Sequence, residues 1–399
     1  DPIQSHTTCS YGTPEKVFVP DNGTKRPMHV VAWFLASLAL LALCVTTIST
    51  FVTPLEGTTE LLLRLMPTLK SSQVVPQITA TTPFRPVRDH VDLRPQPGQS
   101  MHPPSVRVPL SPLALGKMPD VKPISERVYI VTGATEGIGK FTAEQLANTG
   151  ATVVIHGRNP TKVQAVLKEL KQISKSDKLH GFTADLSSMK EVRRLGQDIA
   201  AAFPIIDGLL NNAGTFAGDY TGKRIETVDG NEYSLAVNVL APFLLTSLLW
   251  ENVNRSPAAR VIMTSSISQG SPHKLSDIQC ANGWDSHTAY ELSKLCDAMI
   301  IMELNERYGN APTLTFNTMD PGTVDTKMLR AGWGGGPSVR TATTSFWMLT
   351  DPSVQERTGQ YFMGKRASRA DRECYDPKAR AALWEQLERL TGAKYPPTR

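Results

Sequence analysis

Tyr290 and Lys294, four residues apart in Tyr290-Glu291-Leu292-Ser293-Lys294, carry the clearest chemical signal in the sequence. The surrounding pattern predicts a helix, and positions i and i+4 of a helix share one face, so the phenol and the ammonium point into the same space. A neighbouring cation favours phenolate and lowers a tyrosine pKa from its ordinary value of about 10. The pair is therefore suited to proton exchange with a carbonyl or an alcohol. A solvated tyrosine and lysine on a helix surface is the alternative.

Hydroxyl and amide side chains stand near this pair in the predicted fold. Thr264-Ser265-Ser266 ends a buried-type strand, and the carboxyl ends of strands are where open α/β sheets bind ligands. Asn238 lies in an otherwise apolar predicted helix, where an amide must find partners or cost stability. A buried asparagine that bonds only to neighbouring backbone is the alternative for Asn238.

A glycine-rich segment, Thr132-Gly133-Ala134-Thr135-Glu136-Gly137-Ile138-Gly139, follows the first predicted strand and opens the first predicted helix. Glycines at these places allow a tight turn and close approach of the backbone to a pyrophosphate, and the helix N-terminus supplies amides to it. A structural turn is the alternative, but the preceding strand and following helix favour a dinucleotide site.

Short apolar runs alternate with helical patterns from about residue 121, which predicts a parallel sheet covered by helices on both faces. We expect one doubly wound α/β domain, a Rossmann fold, over residues 121–399. The predicted strands are 127–132, 152–156, 180–184, 206–211, 260–265 and 313–319, and the predicted helices are 137–149, 160–174, 188–203, 231–254, 286–308 and 377–391.

The first 120 residues have a different character, since 17 of the 29 prolines lie within residues 1–123. Residues 30–52 form 23 positions without a charge, long enough to cross a hydrocarbon core, and we interpret them as a transmembrane segment or a cleaved signal. Residues 1–29 are a tail, and a start at Met28 would leave residues 1–27 untranslated. Residues 53–120 are a Pro/Ser/Thr-rich linker or a transit region, because residues 61–88 hold four basic residues and no acid.

This organisation predicts a single-pass membrane protein, with the endoplasmic reticulum or, through a bipartite signal, a plastid as its compartment. The net charge of +5 over 399 residues leaves no basic patch suited to nucleic acid. The five cysteines show no CxxC spacing and come with no histidine cluster, so we expect neither a disulfide framework nor a metal site. The oligomeric state is left open.

The glycine-rich segment together with Asn211-Asn212-Ala213-Gly214 resembles the short-chain dehydrogenase/reductase family, and the match runs from about residue 128 to 392. The resemblance implies a catalytic tetrad of Asn238, Ser266, Tyr290 and Lys294. In it the serine holds the substrate oxygen, the lysine also bonds the nicotinamide ribose and the asparagine supports a proton relay. Ser265 is the structural neighbour of Ser266, and an exchange of these two roles stays open.

The end of the second strand decides between the two nicotinamide cofactors. Gly157 stands where an acid would bind a ribose hydroxyl, and Arg158 follows it and would pair with a 2′-phosphate. We therefore predict NADP(H) over NAD(H), with NADPH binding at least about tenfold tighter, although Glu136 stands where some NADP-dependent relatives have a base. The resemblance places the following residues at the cofactor: Gly133, Thr135, Glu136, Gly137, Ile138, Gly139, Arg158, Asn159, Asp185, Asn212, Ala213, Gly214, Tyr290, Lys294, Pro321, Gly322, Val324 and Thr326.

The segment after the sixth predicted strand, Asp320-Pro321-Gly322, resembles the family's Pro-Gly segment, with an aspartate where a histidine is frequent. Beyond it, the glycine-rich residues 332–337 suggest a flap in which Trp333 covers an apolar ligand, or else an ordinary exposed loop. We assign His273, His287 and Cys296 to loops or packing.

The favoured function is an NADP(H)-dependent oxidoreductase that interconverts a carbonyl and an alcohol on a small hydrophobic substrate such as a retinoid, steroid or lipid. The chain is most similar to the retinol-dehydrogenase-like branch, to which Tyr361-Phe362-Met363-Gly364 and the helix around Trp384 contribute. A 3-oxoacyl thioester reductase and a protochlorophyllide-type reductase are alternatives on the same scaffold. A non-catalytic dinucleotide-binding scaffold is the alternative from another class.

Overall fold

The computed structural model describes residues 121–216 and 222–398. The predicted tail, membrane segment and linker over residues 1–120 lie outside the described residues. Within the described ranges, no helix combines the length and the apolar character that a membrane span requires.

One eight-stranded sheet organises the described chain, in the order β3-β2-β1-β4-β5-β6-β7-β8. Strands β1 to β7 pair in parallel, and β8 pairs antiparallel to β7. The strands are β1 (Val128–Val131), β2 (Thr152–Gly157), β3 (Leu179–Thr183), β4 (Gly208–Asn211), β5 (Ala259–Thr264), β6 (Leu314–Asp320), β7 (Gln360–Met363) and β8 (Arg366–Ser368). The doubly wound sheet is confirmed.

Helices cover both faces of this sheet. They are α1 (Gly137–Asn148), α2 (Pro160–Ser174), α3 (Met189–Ala202), α4 (Tyr233–Leu235), α5 (Ala241–Leu248), α6 (Trp250–Asn254), α7 (Ser286–Tyr308), α8 (Lys327–Gly332), α9 (Thr344–Thr350) and α10 (Pro377–Thr391). Short 3-10 turns lie at Ile124–Glu126, Pro272–Lys274, Val339–Thr341, Pro352–Val354 and Arg372–Tyr375.

The central strands are apolar runs because both of their faces are covered. Every residue of β5 and of β6 is buried. Two hydrophobic clusters form, one on each side of the sheet: one includes Phe243, Trp250 and Phe316, and the other includes Tyr129, Leu146 and Phe362. The parallel strands therefore end together at one rigid edge.

The prediction of one continuous helix over residues 231–254 is wrong. A π-helical turn, Ala236–Leu240, separates α4 from α5, and its last N–H bond runs from Ala241 to the Ala236 carbonyl. Pro242 has no N–H for the Asn238 carbonyl, which favours a wider turn there. The turn places the Asn238 side chain toward the loop after β4.

Helix α7 begins at a well-formed cap, where the Asp285 carboxylate accepts a hydrogen bond from the Thr288 amide at 2.9 Å. It runs for 23 residues as predicted, with most of its residues buried, because it packs across β5 and β6. This packing fixes Tyr290 and Lys294 beside the carboxyl ends of those strands.

Candidate active site

Tyr290 lies at the end of β5, beside Ser266 and Lys294. Its side chain is buried, and its phenol lies close enough to the Ser266 hydroxyl for that hydroxyl to lower its pKa. The Lys294 ammonium lies 5.8 Å from the centre of the tyrosine ring. The structure thus brings together three of the four residues that the resemblance assigned to the tetrad.

The sequence-based prediction that Tyr290 has a lowered pKa is wrong. Burial raises the pKa of the phenol, and this effect exceeds the lowering by Lys294 and by the Ser266 hydrogen bond. The carboxylates of Asp297 and Asp320 add to the rise. The side chain is therefore a neutral phenol at neutral pH, ready to give up a proton to a bound oxygen.

Lys294 is buried and holds two partners with its ammonium. Its Nζ donates to the Thr264 carbonyl at 2.8 Å and to Asp297 Oδ2 at 2.9 Å. Loss of hydration lowers the pKa of Lys294, but the Asp297 carboxylate and Tyr290 together raise it above its ordinary value. Sequence reasoning missed Asp297, although an acid three residues after the lysine on the same helix face was the signal that could have found it.

Asn238 connects the loop after β4 to α7. Its Oδ1 accepts from the Thr215 amide at 2.8 Å, and its Nδ2 donates to the Thr215 carbonyl at 3.0 Å and to Ser293 Oγ at 2.9 Å. A Cβ placed on Gly214 would lie 3.5 Å from Asn238 Oδ1 and 3.6 Å from Lys294 Nζ. Asn238 and Lys294 thus border the same small space beside Gly214.

Adjacent serines at the end of β5 have different surroundings. Ser265 Oγ donates to the Lys294 carbonyl at 2.6 Å and anchors α7 to the strand. Ser266 Oγ accepts from the Ser268 amide at 3.0 Å and also contacts Tyr290. Of the two hydroxyls, the one on Ser266 faces the reactive phenol.

Asp320, the position that departs from the family pattern, joins two loops of the site. Its Oδ2 accepts from the Ile267 amide at 2.8 Å and its Oδ1 accepts from the Gly322 amide at 2.9 Å. The carboxylate therefore joins the loop that carries Ser266 to the Pro-Gly loop. A histidine could not accept both hydrogen bonds, because a neutral imidazole has only one acceptor nitrogen.

The glycine-rich loop forms a cradle at the start of α1. Gly133 has a φ of +65°, and a Cβ there would lie 2.8 Å from Ala213 Cα; a Cβ on Gly139 would lie 2.4 Å from the Gly133 carbonyl oxygen. The N-cap residue, Glu136, makes no side-chain capping bond to α1. Close backbone packing with uncapped first-turn amides fits a bound pyrophosphate.

Polar side chains brace this cradle from the neighbouring strands. Asn212 Nδ2 donates to the Thr132 carbonyl at 2.9 Å, and Thr132 Oγ1 accepts from the Ala213 amide at 3.0 Å. From β2, His156 Nδ1 accepts from the Gly133 amide at 3.4 Å and its Nε2 lies 3.1 Å from the Ala184 carbonyl. His156 is a second functional neighbour that sequence reasoning missed.

A side chain at the end of β2 would meet the neighbouring Thr135. A Cβ on Gly157 would lie 2.4 Å from the Thr135 methyl. Arg158 is exposed and donates to the Tyr233 hydroxyl at 2.7 Å, and Lys162 pairs with Glu136 at 3.1 Å. Two cations thus stand beside the glycine-rich loop, one of them neutralised by Glu136.

Several of the other residues assigned to the cofactor are engaged in local bonds. Asn159 caps α2 by accepting from the Lys162 amide at 3.1 Å, and Asp185 Oδ1 accepts from the Ser187 hydroxyl at 2.8 Å. Thr326 caps α8, and its methyl would lie 3.4 Å from a Cβ on Gly137. Ile138 stands in the first turn of α1, and Pro321, Gly322 and Val324 stand in the loop after β6.

Two aromatic rings, Phe216 and Trp333, pack against Tyr290, and His287 packs against both of them. Trp333 lies 4.9 Å from Phe216, 5.3 Å from His287 and 5.2 Å from Tyr290 between ring centres. Phe216 also lies 5.0 Å from His287 and 5.8 Å from Tyr290. We call Phe216, His287 and Trp333 the ring cluster. His287, which the sequence assigned to a loop or to packing, packs against the other two rings of this cluster.

Within the described ranges, no group of three or more histidine, cysteine, aspartate or glutamate side chains is placed to hold a metal ion. Cys280, Cys296 and Cys374 are buried free thiols.

Comparisons with known proteins agree with this geometry. The sequence model of the short chain dehydrogenase family matches residues 127–333. The chain is 32% identical to mouse polyprenol dehydrogenase over 69% of this chain and 87% of that protein. It is 29% identical to human retinol dehydrogenase 13 over 71% of this chain and 90% of that protein.

A solved structure shares the fold and contains a dinucleotide. It is a short chain dehydrogenase from Escherichia coli CFT073 complexed with NADPH, 25% identical, with a TM-score of 0.50 over 63% of this chain and 100% of that one.

Proposed function

The chain belongs to the short-chain dehydrogenase/reductase family, in its retinol-dehydrogenase-like branch, and is an oxidoreductase of carbonyls and alcohols; on that premise we propose that it uses NADP(H) and acts on a hydrophobic substrate of the retinoid, steroid or lipid kind. The observation that carries this proposal is the Ser266–Tyr290–Lys294 contact beneath the ring cluster. An apolar cover directly over an acid–base group selects for an apolar carbonyl.

The roles of the site residues follow from their protonation and contacts. Tyr290, a buried neutral phenol, donates its proton to the carbonyl oxygen during reduction, while Ser266 donates a second hydrogen bond to that oxygen. Lys294 stabilises the phenolate that remains. In alcohol oxidation the same phenolate takes the proton back. A bound nicotinamide supplies or accepts the hydride.

Asn238 has a supporting role in this proposal. Its amide bonds both the Thr215 backbone and Ser293, whose hydroxyl donates to the Tyr290 carbonyl at 2.7 Å. The amide thereby fixes the first turns of α7 relative to the loop after β4, beside the space that Lys294 also borders. Loss of Asn238 is expected to lower turnover by misplacing Tyr290.

Preference for NADP(H) is supported by the end of β2. Position 157 is a glycine and not an aspartate that would bond a ribose hydroxyl, and a side chain there would meet the Thr135 methyl. Arg158 and Lys162 offer two cations to a 2′-phosphate, since an exposed guanidinium can exchange its bond to Tyr233 for a phosphate. The structural relative that holds NADPH agrees with this preference.

A spectrophotometric assay with the purified full chain tests the proposal. We expect oxidation of NADPH with apolar aldehydes or ketones such as retinal, and at least about tenfold tighter binding of NADPH than of NADH because of the phosphate contacts. Equal dissociation constants would refute the cofactor assignment. Turnover of 3-oxoacyl thioesters alone would select the thioester reductase, and tight NADPH binding without turnover of any substrate would select the scaffold.

A further inference from the structure

Lys294 forms a buried ion pair with Asp297, which lies about one turn further along α7. Lys294 Nζ and Asp297 Oδ2 are 2.9 Å apart, and their side chains are only 4% and 3% exposed. A carboxylate is rarely taken fully out of water unless its charge has a task, because desolvation costs more than a surface position does. The roles proposed above for the tetrad do not use Asp297.

The bonds of Lys294 leave one of its donors for the site. An ammonium has three N–H groups, of which two are held by the Thr264 carbonyl and by Asp297. Gly214 and the Tyr290 ring also lie beside the ammonium, with Nζ 3.6 Å from a Cβ placed on Gly214 and 5.8 Å from the centre of the ring, so the third donor is available on the side of the site. Asp297 thus fixes the direction of the ammonium as well as its charge.

The second oxygen of Asp297 shows that the carboxylate serves this lysine alone. Among the described residues, Asp297 Oδ1 has no hydrogen-bond partner although it is buried. A carboxylate that braced the fold would use both oxygens, as Glu303 does on the same helix with Arg307 and Arg380. Asp297 therefore has one electrostatic partner and no second structural one.

Resting on the proposed function, we propose that Asp297 is a positioning residue for proton transfer. Its hydrogen bond holds the Lys294 ammonium in place beside Tyr290, and its negative charge opposes the formation of phenolate that this ammonium favours. Alcohol oxidation, which needs the phenolate, is thereby confined to higher pH.

The charges that surround this group are few. On α7, Asp297 raises the pKa of both Lys294 and Tyr290, and burial raises its own pKa to about 6, so the pair is ionised at neutral pH. From β6, Asp320 also raises the pKa of Tyr290.

The nearby thiols stay neutral and do not compete with this pair. Burial raises the pKa of Cys280 to about 11 and that of Cys374 to about 12, and it raises the pKa of Cys296 well above its ordinary value. They lie on the loop before α7, on the 3-10 turn before α10 and on α7 itself.

The test compares Asp297→Asn with the wild-type full chain in alcohol oxidation and carbonyl reduction across pH. Asparagine keeps an acceptor for Lys294 but removes the negative charge, which lowers the pKa of both Tyr290 and Lys294. We expect the pH profile of oxidation to move to lower pH by about half a unit or more. An unmoved profile with reduced amplitude would overturn the proposal.

Glu303→Gln is the matched control, because it removes a buried carboxylate from the same helix away from the site. It should leave the pH profile in place even if it lowers stability. NADPH affinity, measured by fluorescence titration, should change less than about threefold in Asp297→Asn, since the variant keeps an acceptor that holds the Lys294 ammonium in place. A much larger loss of affinity would assign Asp297 a structural role instead.

Two further results separate this inference from the proposed function. If Asp297→Asn does not fold, Asp297→Glu keeps the charge and should retain the wild-type profile, and a shifted profile in that variant would contradict the inference. If the wild-type chain binds NADPH but turns over no carbonyl or alcohol, the proposed function fails; if it is active and the charge does not matter, only the inference fails.

Discussion

At the scale of single residues, the sequence predicts which side chains share a helix face, but it does not predict how deeply those side chains are buried. The spacing of Tyr290 and Lys294 predicted a shared helix face, and the structure places both at the end of β5. The direction of the Tyr290 pKa was wrong, because spacing reveals a neighbouring cation but not the depth of the phenol or the carboxylates behind it. Asp297 was missed for the same reason. A lysine followed by an acid three residues later is common on the solvated face of a helix, and spacing alone does not show that this pair is buried.

His156 gives a pH dependence of stability that can be measured. Burial lowers its pKa to about 4, and its neutral ring accepts from Gly133 and donates to Ala184. Below pH ~6.5 the unfolded chain takes a proton that the folded chain refuses, so stability falls as the pH drops to about 4, by roughly 3 kcal/mol in total. Urea unfolding of the wild type and of His156→Gln between pH 7.5 and 4.5 tests this.

The glutamine variant should be less stable at neutral pH but should lack most of the decline. His273 is exposed, so His273→Gln is the control and should follow the wild type. Parallel declines in the wild type and His156→Gln would show that other groups cause the loss.

Helices and strands with a regular apolar pattern could be predicted from the sequence, and short exposed ones could not. The six predicted strands and helices α1, α2, α3, α7 and α10 all exist. β8 is fully exposed and only three residues long, and α8 has no buried residue, so neither leaves a hydrophobic pattern in the sequence. The β7–β8 hairpin also adds an antiparallel edge to an otherwise parallel sheet, which βα alternation does not predict.

Trp333, in the loop that follows α8, is 42% exposed and in contact with Phe216, His287 and Tyr290, and we propose that it binds the apolar part of the substrate. Trp333→Ala should raise KM for an apolar aldehyde about tenfold, the effect of losing one large apolar contact. Trp333→Phe keeps a ring and should restore most of the affinity.

Steady-state kinetics with a long apolar aldehyde and with a small water-soluble one provides the comparison. The small substrate should lose much less efficiency in Trp333→Ala, because it offers little apolar surface to the ring cluster. An equal loss for both substrates would mean that Trp333 supports the fold of the site and does not select the substrate.

At the scale of the whole molecule, the fold brings the glycine-rich loop and the tetrad to one edge of the sheet because parallel strands end together there. This much followed from the order of motifs in the sequence. The ring cluster did not, because Phe216, His287 and Trp333 come from three distant segments whose meeting depends on loop conformations. We propose that residues 30–52 attach the enzyme to a membrane.

Removal of residues 1–120 tests the predicted division of the chain. Both hydrophobic clusters draw on residues between Ile124 and Tyr395, so residues 121–399 should fold and retain turnover of a soluble carbonyl within about threefold. The full chain should float with lipid vesicles and the shortened chain should not. Loss of folding in the shortened chain would contradict the division, and equal flotation would contradict the membrane segment.

The rate of NADPH oxidation by Tyr290→Phe tests the central claim most directly. Phenylalanine keeps an aromatic ring packed against the ring cluster and removes the proton donor. Turnover should therefore fall at least about 100-fold while NADPH binding stays unchanged. Tyr308→Phe, which removes a hydroxyl bonded to Pro396 from the far end of the same helix, should keep wild-type turnover. Full turnover in Tyr290→Phe would contradict the account.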